Sequence, residues 1–266
     1  MYSSEIYENR SKIDMGEKMN TIELYAFGRK VTQDEWYIDR SRIVNRLYFV
    51  NSGSATVRIG AKEWALTEGH FYVLPRSESF VPVAALEFDH TYFDYYSSRI
   101  LRSDMIFEGA LSSLGAAHFL SFVNALLVSD PPPPAMQEIM QLLLQAFLSC
   151  ADGTFPKNFY IVNEAIAGAV DCIHKDFAFV STKDLAMRAH LSKSYFIRLF
   201  RECIGLSPLE YIRARRVLYG EQLLLRGLSV EETAEACGYA SVSAFYKAVR
   251  AETGQAPSAF RAKNSQ

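Results

Sequence analysis

The chain has 266 residues, of which 49% are hydrophobic and 22% charged, values that are ordinary for a folded protein with room for two domains. No apolar run approaches the roughly 20 residues of a membrane span, and the chain does not open on the basic and apolar segments of a signal peptide. The four cysteines are widely spaced without a CxxC pair. This spacing favours reduced thiols and a cytoplasmic location over a disulfide framework.

The formal net charge of −2 hides an uneven distribution. Residues 181–266 hold 13 Lys and Arg against 8 Asp and Glu, whereas residues 1–180 hold 15 against 22. The C-terminal part is therefore net positive by 5 and the remainder net negative by 7. A positive excess favours a polyanionic partner for the C-terminal part, although an excess of this size does not by itself establish one.

In chain order, residues 1–20 are polar and aperiodic, which predicts a flexible tail. Residues 21–104 contain short runs with strand alternation, separated by turn residues such as Gly53, and predict a β-sandwich or small barrel. Helical spacing takes over in residues 105–150, interrupted by four prolines. Residues 151–158 contain Gly153 and Pro156 and predict a linker.

Residues 159–266 contain two consecutive helix-turn-helix patterns, predicted at about residues 181–201 and 229–250. In each pattern a short helix with a small alanine precedes a tight turn, and a serine then caps a second helix. A continuous helical stretch at about residues 208–225 joins the two. Two such units predict two reading heads for successive stretches of DNA.

These residues resemble the AraC/XylS family of bacterial transcription regulators over about residues 160–262. The matches include Ser207-Pro208, Gly238-Tyr239 and the closing run from Thr253 to Arg261. The strands from Leu47 to Pro75 resemble the cupin-like sensor domain of the same family. The resemblance implies an α+β protein of two domains, in which a cupin-like β-barrel with trailing helices precedes an all-α double helix-turn-helix domain.

The first unit carries the better base-reading side chain. Ser192 can cap a helix whose free amides face a phosphate, and Arg198 has the reach and fork geometry for a guanine edge. In the second unit Lys247 and Arg250 are natural phosphate contacts, whereas Val249 stands where the family usually has an aromatic residue. We therefore predict base reading by the first unit and phosphate positioning by the second. The residues predicted to contact DNA are Ser192, Lys193, Ser194, Ile197, Arg198, Arg201, Arg216, Ser241, Val242, Ser243, Lys247 and Arg250.

The stretch between the units resembles the family's connecting helix, which sets the two heads about one DNA turn, roughly 34 Å, apart. Arg213, Arg215 and Arg216 form its basic end. For Arg213 a solvent-facing role is an equally good interpretation. Gly220 stands where the family commonly has alanine, and because a glycine within a helix costs about 1 kcal/mol it predicts a looser helix.

In the N-terminal half, polar side chains at alternating strand positions predict an effector site, because subsets of them share one face of a sheet. Such groups can bond sugar hydroxyls or an anionic group. The residues are Arg46, Tyr48, Tyr72, His90, Tyr92 and Asp94. An aromatic-rich core with polar tips remains the alternative for each of them. The five histidines form no HxH pair, and none stands just after Pro75, where a ligand would be expected, so we expect neither a metal nor a cofactor.

An apolar stripe in the second trailing helix is interpreted either as an antiparallel dimer contact or as packing against the barrel. Its residues are Ile139, Leu142, Leu143, Ala146 and Phe147. The family resemblance favours a homodimer, whose symmetry would match paired DNA half-sites.

These observations together predict a sequence-specific DNA-binding transcription regulator that responds to a small effector, such as a sugar or small organic acid. We expect no enzymatic activity. RNA polymerase is a further candidate partner. Two alternatives stay open, a cupin-type metal enzyme with a helical appendage and a constitutive DNA-binding protein without an effector.

Overall fold

The structure is a computed structural model that describes residues 22–32, 43–76, 80–97, 99–102, 104–133, 135–161 and 163–262. The tail predicted for residues 1–20 lies outside the described residues. The strands are β1 (Ile22–Thr32), β2 (Asn45–Ile59), β3 (Lys62–Thr67), β4 (His70–Leu74), β5 (Phe80–Ser97), β6 (Ile100–Leu101), β7 (Phe107–Ala110) and β8 (Tyr160–Ile161). The helices are α1 (Ala116–Leu127), α2 (Met136–Ala151), α3 (Glu164–Asp176), α4 (Thr182–Arg188), α5 (Lys193–Ile204), α6 (Pro208–Leu225), α7 (Val230–Ala236), α8 (Val242–Thr253) and α9 (Pro257–Ala262).

The N-terminal half is an antiparallel sheet in the order β1-β5-β2-β4-β7, with β3 paired to the second half of β2. The path of pairing between these strands is open, and their arrangement is barrel-like. Helices fill the C-terminal half. The predicted two-domain α+β fold is therefore confirmed. Among the described residues, no helix combines the length and the apolar character needed to cross a membrane.

Both faces of the sheet are buried, which explains the unbroken apolar run in β2. Alternate residues such as Leu47 and Phe49 lie against α1 and α2 in one core cluster with Phe147. The residues that alternate with them, Tyr48 and Val50, belong to a second cluster on the opposite face.

Helix α2 covers the free edge of β1 with a row of glutamines spaced four residues apart. The side chain of Gln141 accepts from the amide of Leu24 at 2.6 Å and donates to the carbonyl of Ile22 at 2.9 Å. Gln137 donates to the carbonyl of Leu24, and Gln145 donates to the carbonyl of Ile22. The row satisfies backbone groups that an uncovered edge would offer to another strand.

The helical half has two clusters, one for each helix-turn-helix unit. Phe196 and Phe200 of α5 lie in the first cluster, and Phe245 of α8 lies in the second. Helix α6 contributes to both, because its first half packs with Tyr211 in the first cluster and its second half with Leu224 in the other. A single helix of 18 residues therefore joins the two units.

Candidate nucleic-acid interface and effector face

The first unit consists of α4 and α5, and local hydrogen bonds define where each helix begins. Ser181 and Asp184 form a reciprocal capping box at the start of α4. Ser192 caps α5 by accepting a hydrogen bond from the amide of Tyr195. The turn between the helices includes His190, whose φ of 54° is left-handed. These caps satisfy backbone donors that the helix itself cannot use.

Helix α5 presents a polar and basic face to solvent. Four of the residues predicted to contact DNA are exposed along it, namely Lys193, Ser194, Arg198 and Arg201. Ile197 is half-buried beside them, and the capping residue Ser192 is exposed at the helix N-terminus. The structure therefore brings all six predicted residues of the first unit onto one continuous surface.

The guanidinium of Arg198 is held loosely on this surface. It lies 5.2 Å from the ring centre of Tyr195 and 3.8 Å from a carboxylate oxygen of Glu202. Both partners are on the surface, where such pairs contribute little to stability. Arg198 can therefore exchange the carboxylate for a base edge at small cost.

The second unit, α7 and α8, repeats this construction. Ser229 and Glu232 form the capping box of α7, and Ser241 caps α8 by accepting from the amide of Ala244 at 3.2 Å. Lys247 and Arg250 are exposed on α8, together with Ser241 and Ser243. Two basic side chains at this spacing are suited to phosphate oxygens.

The apolar members of α8 are divided between the surface and the core. Val249 is completely buried, and Val242 is half-buried against the same cluster. Val242 therefore offers less surface to DNA than the sequence prediction assigned to it.

Tyr246, with 39% of its surface exposed, was not predicted as a contact. It follows the capping serine Ser241 by five positions, as Ile197 follows Ser192. Aligning the two units on their caps would have identified it. Its hydroxyl gives the second unit a hydrogen-bonding group on the side that faces solvent.

Arg216 was predicted to contact DNA, and the structure places it elsewhere. Its guanidinium donates to the carbonyls of Phe177 at 2.9 Å, Ala178 at 2.8 Å and Gly238 at 3.4 Å. These carbonyls belong to the end of α3 and to the turn of the second unit. Arg216 therefore joins the two units, and each of its three guanidinium nitrogens donates to a backbone carbonyl.

Two glycines allow the second unit to pack this closely. A Cβ on Gly220 of α6 would lie 2.8 Å from the Phe245 ring and 3.3 Å from the sulfur of Cys237. Gly238 has a φ of 72°, and a Cβ there would lie 2.3 Å from the carbonyl oxygen of Ala178. Gly220 therefore has a packing role that the sequence did not predict, because the missing side chain makes room for α7 and α8.

The arginines of the predicted basic end of α6 lie in different environments. Arg213 is exposed. Arg215 is only 3% exposed and donates to both carboxylate oxygens of Glu23 on β1, each at 3.1 Å. Its guanidinium also lies over the ring of Phe177 at 4.9 Å. Arg215 therefore binds the sheet to the helical half.

The six residues predicted for an effector lie on one face of the sheet. Register pairs Arg46 with Asp94, and Tyr48 with both Tyr92 and Tyr72, while His90 stands opposite Val50. These positions alternate with those that pack under α1 and α2. Strand register therefore brings together side chains that are up to 48 positions apart in the chain.

Burial controls the electrostatics of this face. The guanidinium of Arg46 is 1% exposed, and its Nε lies 3.3 Å from a carboxylate oxygen of Asp94. Burial lowers the pKa of His90 to about 4 and raises that of Tyr48 well above its usual value. The imidazole and phenol are therefore neutral near pH 7 and can act as hydrogen-bonding groups.

Tyr72 differs from the others. Its hydroxyl accepts a hydrogen bond from the amide of Thr67 at 3.0 Å and donates to Glu108 at 3.4 Å. These contacts direct it toward β3 and β7. Within the part of the chain that the structure describes, no group of three or more His, Cys, Asp or Glu side chains is arranged to hold a metal ion.

The predicted dimer stripe on α2 is divided between two environments. Phe147 is 4% exposed and packs in the cluster beneath the helix, and Leu143 lies partly against the same cluster. Leu142 is 65% exposed and Ala146 is also exposed, while Ile139 is half-buried. Phe147 is therefore a core residue and not a contact with a second copy.

Known proteins resemble both halves of the chain. Residues 185–263 match the family described as a helix-turn-helix domain. The Msm operon regulatory protein of Streptococcus mutans is 24% identical over 81% of this chain and 83% of its own length. The lactose operon transcription activator of Staphylococcus xylosus is 35% identical over 33% of each chain. The crystal structure of ToxT from Vibrio cholerae O395 has a TM-score of 0.54 at 16% identity, covering 91% of this chain and 96% of its own.

Proposed function

We propose that this chain, a transcription regulator of the AraC/XylS family, reads a specific DNA sequence with two helix-turn-helix units and responds to a small-molecule effector. The observation that carries the proposal is the pair of capped helices with exposed basic faces, α5 and α8, joined by one helix. The operon regulators to which the chain is similar support the same role.

In this proposal α5 enters the major groove and supplies most of the base reading. Arg198 leaves Glu202 and forms a bidentate contact with a guanine, while Ile197 contacts a thymine methyl group. Lys193, Ser194 and Arg201 bind the flanking phosphates. The free amides at the N-terminus of α5 add a favourable site for one further phosphate.

The second unit sits in the next stretch of groove. Lys247 and Arg250 hold the phosphate backbone, and Tyr246 adds one polar contact beside them. Because Arg216 ties this unit to the end of α3, the two helices meet DNA as one body. We therefore expect the protein to prefer one fixed spacing between its two boxes.

We propose that the effector binds the polar face formed by Arg46, Tyr48, His90, Tyr92 and Asp94. Neutral phenol and imidazole groups beside an arginine are suited to a sugar or a small organic acid. An effector acts only if its affinity differs between two arrangements of the protein. The buried contact of Glu23 with Arg215 offers a point where the sheet can influence the helical half.

The remaining parts of the proposal concern partners and location. The exposed side of α2, around Leu142, is a candidate contact for a second copy, which would present four units to a pair of half-sites. RNA polymerase is a candidate partner at the promoter, and we place the protein in the cytoplasm with its DNA. We propose no catalytic role.

Binding to a fluorescent fragment of the gene's own upstream region tests the proposal. The full chain is compared on that fragment and on a scrambled one at 50 and 200 mM salt, with and without sugars and organic acids. Preference for the upstream fragment that persists at 200 mM salt is expected. Equal binding to both fragments that collapses with salt would indicate only attraction to a polyanion and would overturn sequence-specific reading.

The same experiment distinguishes the alternatives. Specific binding that no compound alters would favour a constitutive DNA-binding protein. Metal-dependent turnover of a compound, without specific DNA binding, would favour a cupin-type enzyme.

A further inference from the structure

The sheet and the helical half meet in a buried, polar junction formed with α3 and α6. His174 of α3 lies between the two halves, with its ring stacked on Tyr96 of β5 at a centroid distance of 3.3 Å. Its Nε2 lies 3.0 Å from the hydroxyl of Tyr211 on α6. The ion pair between Glu23 and Arg215 lies close by, since the same carboxylate is 3.8 Å from His174.

Among the described residues of this junction, Arg76 has no comparable partner. It follows the end of β4 and is only 6% exposed. Its Nη2 has no hydrogen-bond partner, and no carboxylate among the described residues forms an ion pair with it. A guanidinium stays charged under all physiological conditions, and burial of an uncompensated ion is strongly unfavourable. An anion that binds there would remove this cost.

A second buried donor lies at the same place. The hydroxyl of Tyr96 also lacks a hydrogen-bond partner. On β2, Arg46 pairs with Leu74 of β4 and with Asp94 of β5. Arg76 follows Leu74 by two positions, and Tyr96 follows Asp94 by two positions. Both side chains therefore belong to the same end of the sheet. Tyr96 and Tyr211 both contact His174 in this junction, and both act electrostatically on the guanidinium of Arg76.

We propose that Arg76 and Tyr96 form a binding site for an oxyanion, a carboxylate or a phosphate, at the junction between the sheet and the helical half. The guanidinium supplies charge and paired donors, and the phenol supplies one more. The site adjoins the polar face around Tyr48 and lies at the end of the sheet beyond Arg46 and Asp94. Because Tyr96 stacks on His174 of the helical half, an anion bound at Tyr96 would lie where the two halves meet. This inference rests on the proposed function, since it gives a regulator an anionic effector.

Thermal unfolding of the full chain tests the site. Acetate, succinate and inorganic phosphate are titrated separately at constant ionic strength against chloride, and they distinguish carboxylate from phosphate. We expect at least one to raise the Tm of the wild type saturably, by about 5 °C at 100 times its Kd. Arg76→Met and Tyr96→Phe should remove or weaken this rise. The control Arg58→Met, at an exposed pair with Glu63, should keep it.

The Tm values of the variants, measured without added anion, provide an independent test. Arg76→Met removes an uncompensated buried charge, so its Tm without anion should exceed that of the wild type. A lower Tm, or the absence of a saturable rise with every anion, would overturn the proposal. So would a rise that Arg76→Met retains.

Binding to the upstream DNA fragment separates this site from the proposed function. The anion that stabilises the wild type should change the operator Kd about tenfold, and Arg76→Met should abolish that change. Specific DNA binding that no anion alters would contradict the proposed anion site but would leave the proposal of a transcription regulator standing. Absence of specific DNA binding contradicts the regulator itself, whatever the anions do to the Tm.

Discussion

Replacing Arg216 by methionine distinguishes two roles for this residue. Methionine keeps much of the apolar stem but removes the guanidinium that donates to Phe177, Ala178 and Gly238. Two of these hydrogen bonds are short, at 2.9 and 2.8 Å, and the third is long, at 3.4 Å. A hydrogen bond from a charged group contributes about 1.5–3 kcal/mol. Since Arg216 is half-buried, we take the lower value for two bonds and expect a loss of about 3 kcal/mol.

Urea unfolding followed by far-ultraviolet circular dichroism measures this loss, because helices dominate the half of the chain that Arg216 holds together. Arg213→Met is the matched control, since Arg213 lies one turn earlier on the same helix and is exposed. We expect the control to stay within about 0.5 kcal/mol of the wild type. A change of less than about 1 kcal/mol for Arg216→Met, with weaker DNA binding, would refute the joining role and restore the DNA contact.

Four further predictions concern the two units, the junction and α2. Arg198→Ala should cost about 1–3 kcal/mol of DNA binding at particular base pairs, whereas Lys247→Ala should weaken all sequences alike and lower the salt slope by about 1. Burial lowers the pKa of His174 to about 4, so the unfolded chain binds the proton more readily, and the contribution of His174 to stability should be full above about pH 6.5 and fall by about 3 kcal/mol toward pH 4. Gly220→Ala should lower the free energy of unfolding by about 1 kcal/mol, because overpacking against α8 exceeds the gain in helix propensity. Leu142→Glu should shift a dimer toward monomer in sedimentation experiments, if α2 forms the contact.

Each of these has an outcome that contradicts it. Sequence-blind losses from both Arg198→Ala and Lys247→Ala would remove the division of labour between the units. A pH profile that His174→Gln leaves unchanged would assign the slope to other groups. A more stable Gly220→Ala variant would mean that α6 and α8 separate easily. A wild type that sediments as a monomer at all concentrations would eliminate the dimer.

The two helix-turn-helix units could be predicted from the sequence because their signals are local. In both units a serine cap and a small alanine at the helix crossing act within a few residues of one another, and the second unit adds a glycine in its turn. The exposed basic side chains of α5 and α8 follow directly from helical periodicity once the caps are known. The strand alternation of the N-terminal half is similarly local and predicted the sheet.

The tertiary structure decided which polar side chains remain available to bind DNA, because their availability depends on partners far away in the chain. Arg213, Arg215 and Arg216 are nearly adjacent, yet one faces solvent, one pairs with Glu23 across 192 positions, and one holds backbone carbonyls of two units. Helical spacing alone does not distinguish a guanidinium that meets DNA from one that meets a carbonyl.

Packing between distant segments also decided which face of α2 is buried and what role Gly220 has. The sequence of α2 permits a stripe centred on Leu143 or on Leu144, and the glutamines bound to β1 select the second. Gly220 reads as a weak point in an isolated helix, but the ring of Phe245 occupies the space where a side chain would be. The sequence alone therefore determined the kind of protein and its reading helices, because short-range patterns specify helices and caps. Only the assembled fold determined how the halves are joined, because burial and pairing arise when distant segments meet.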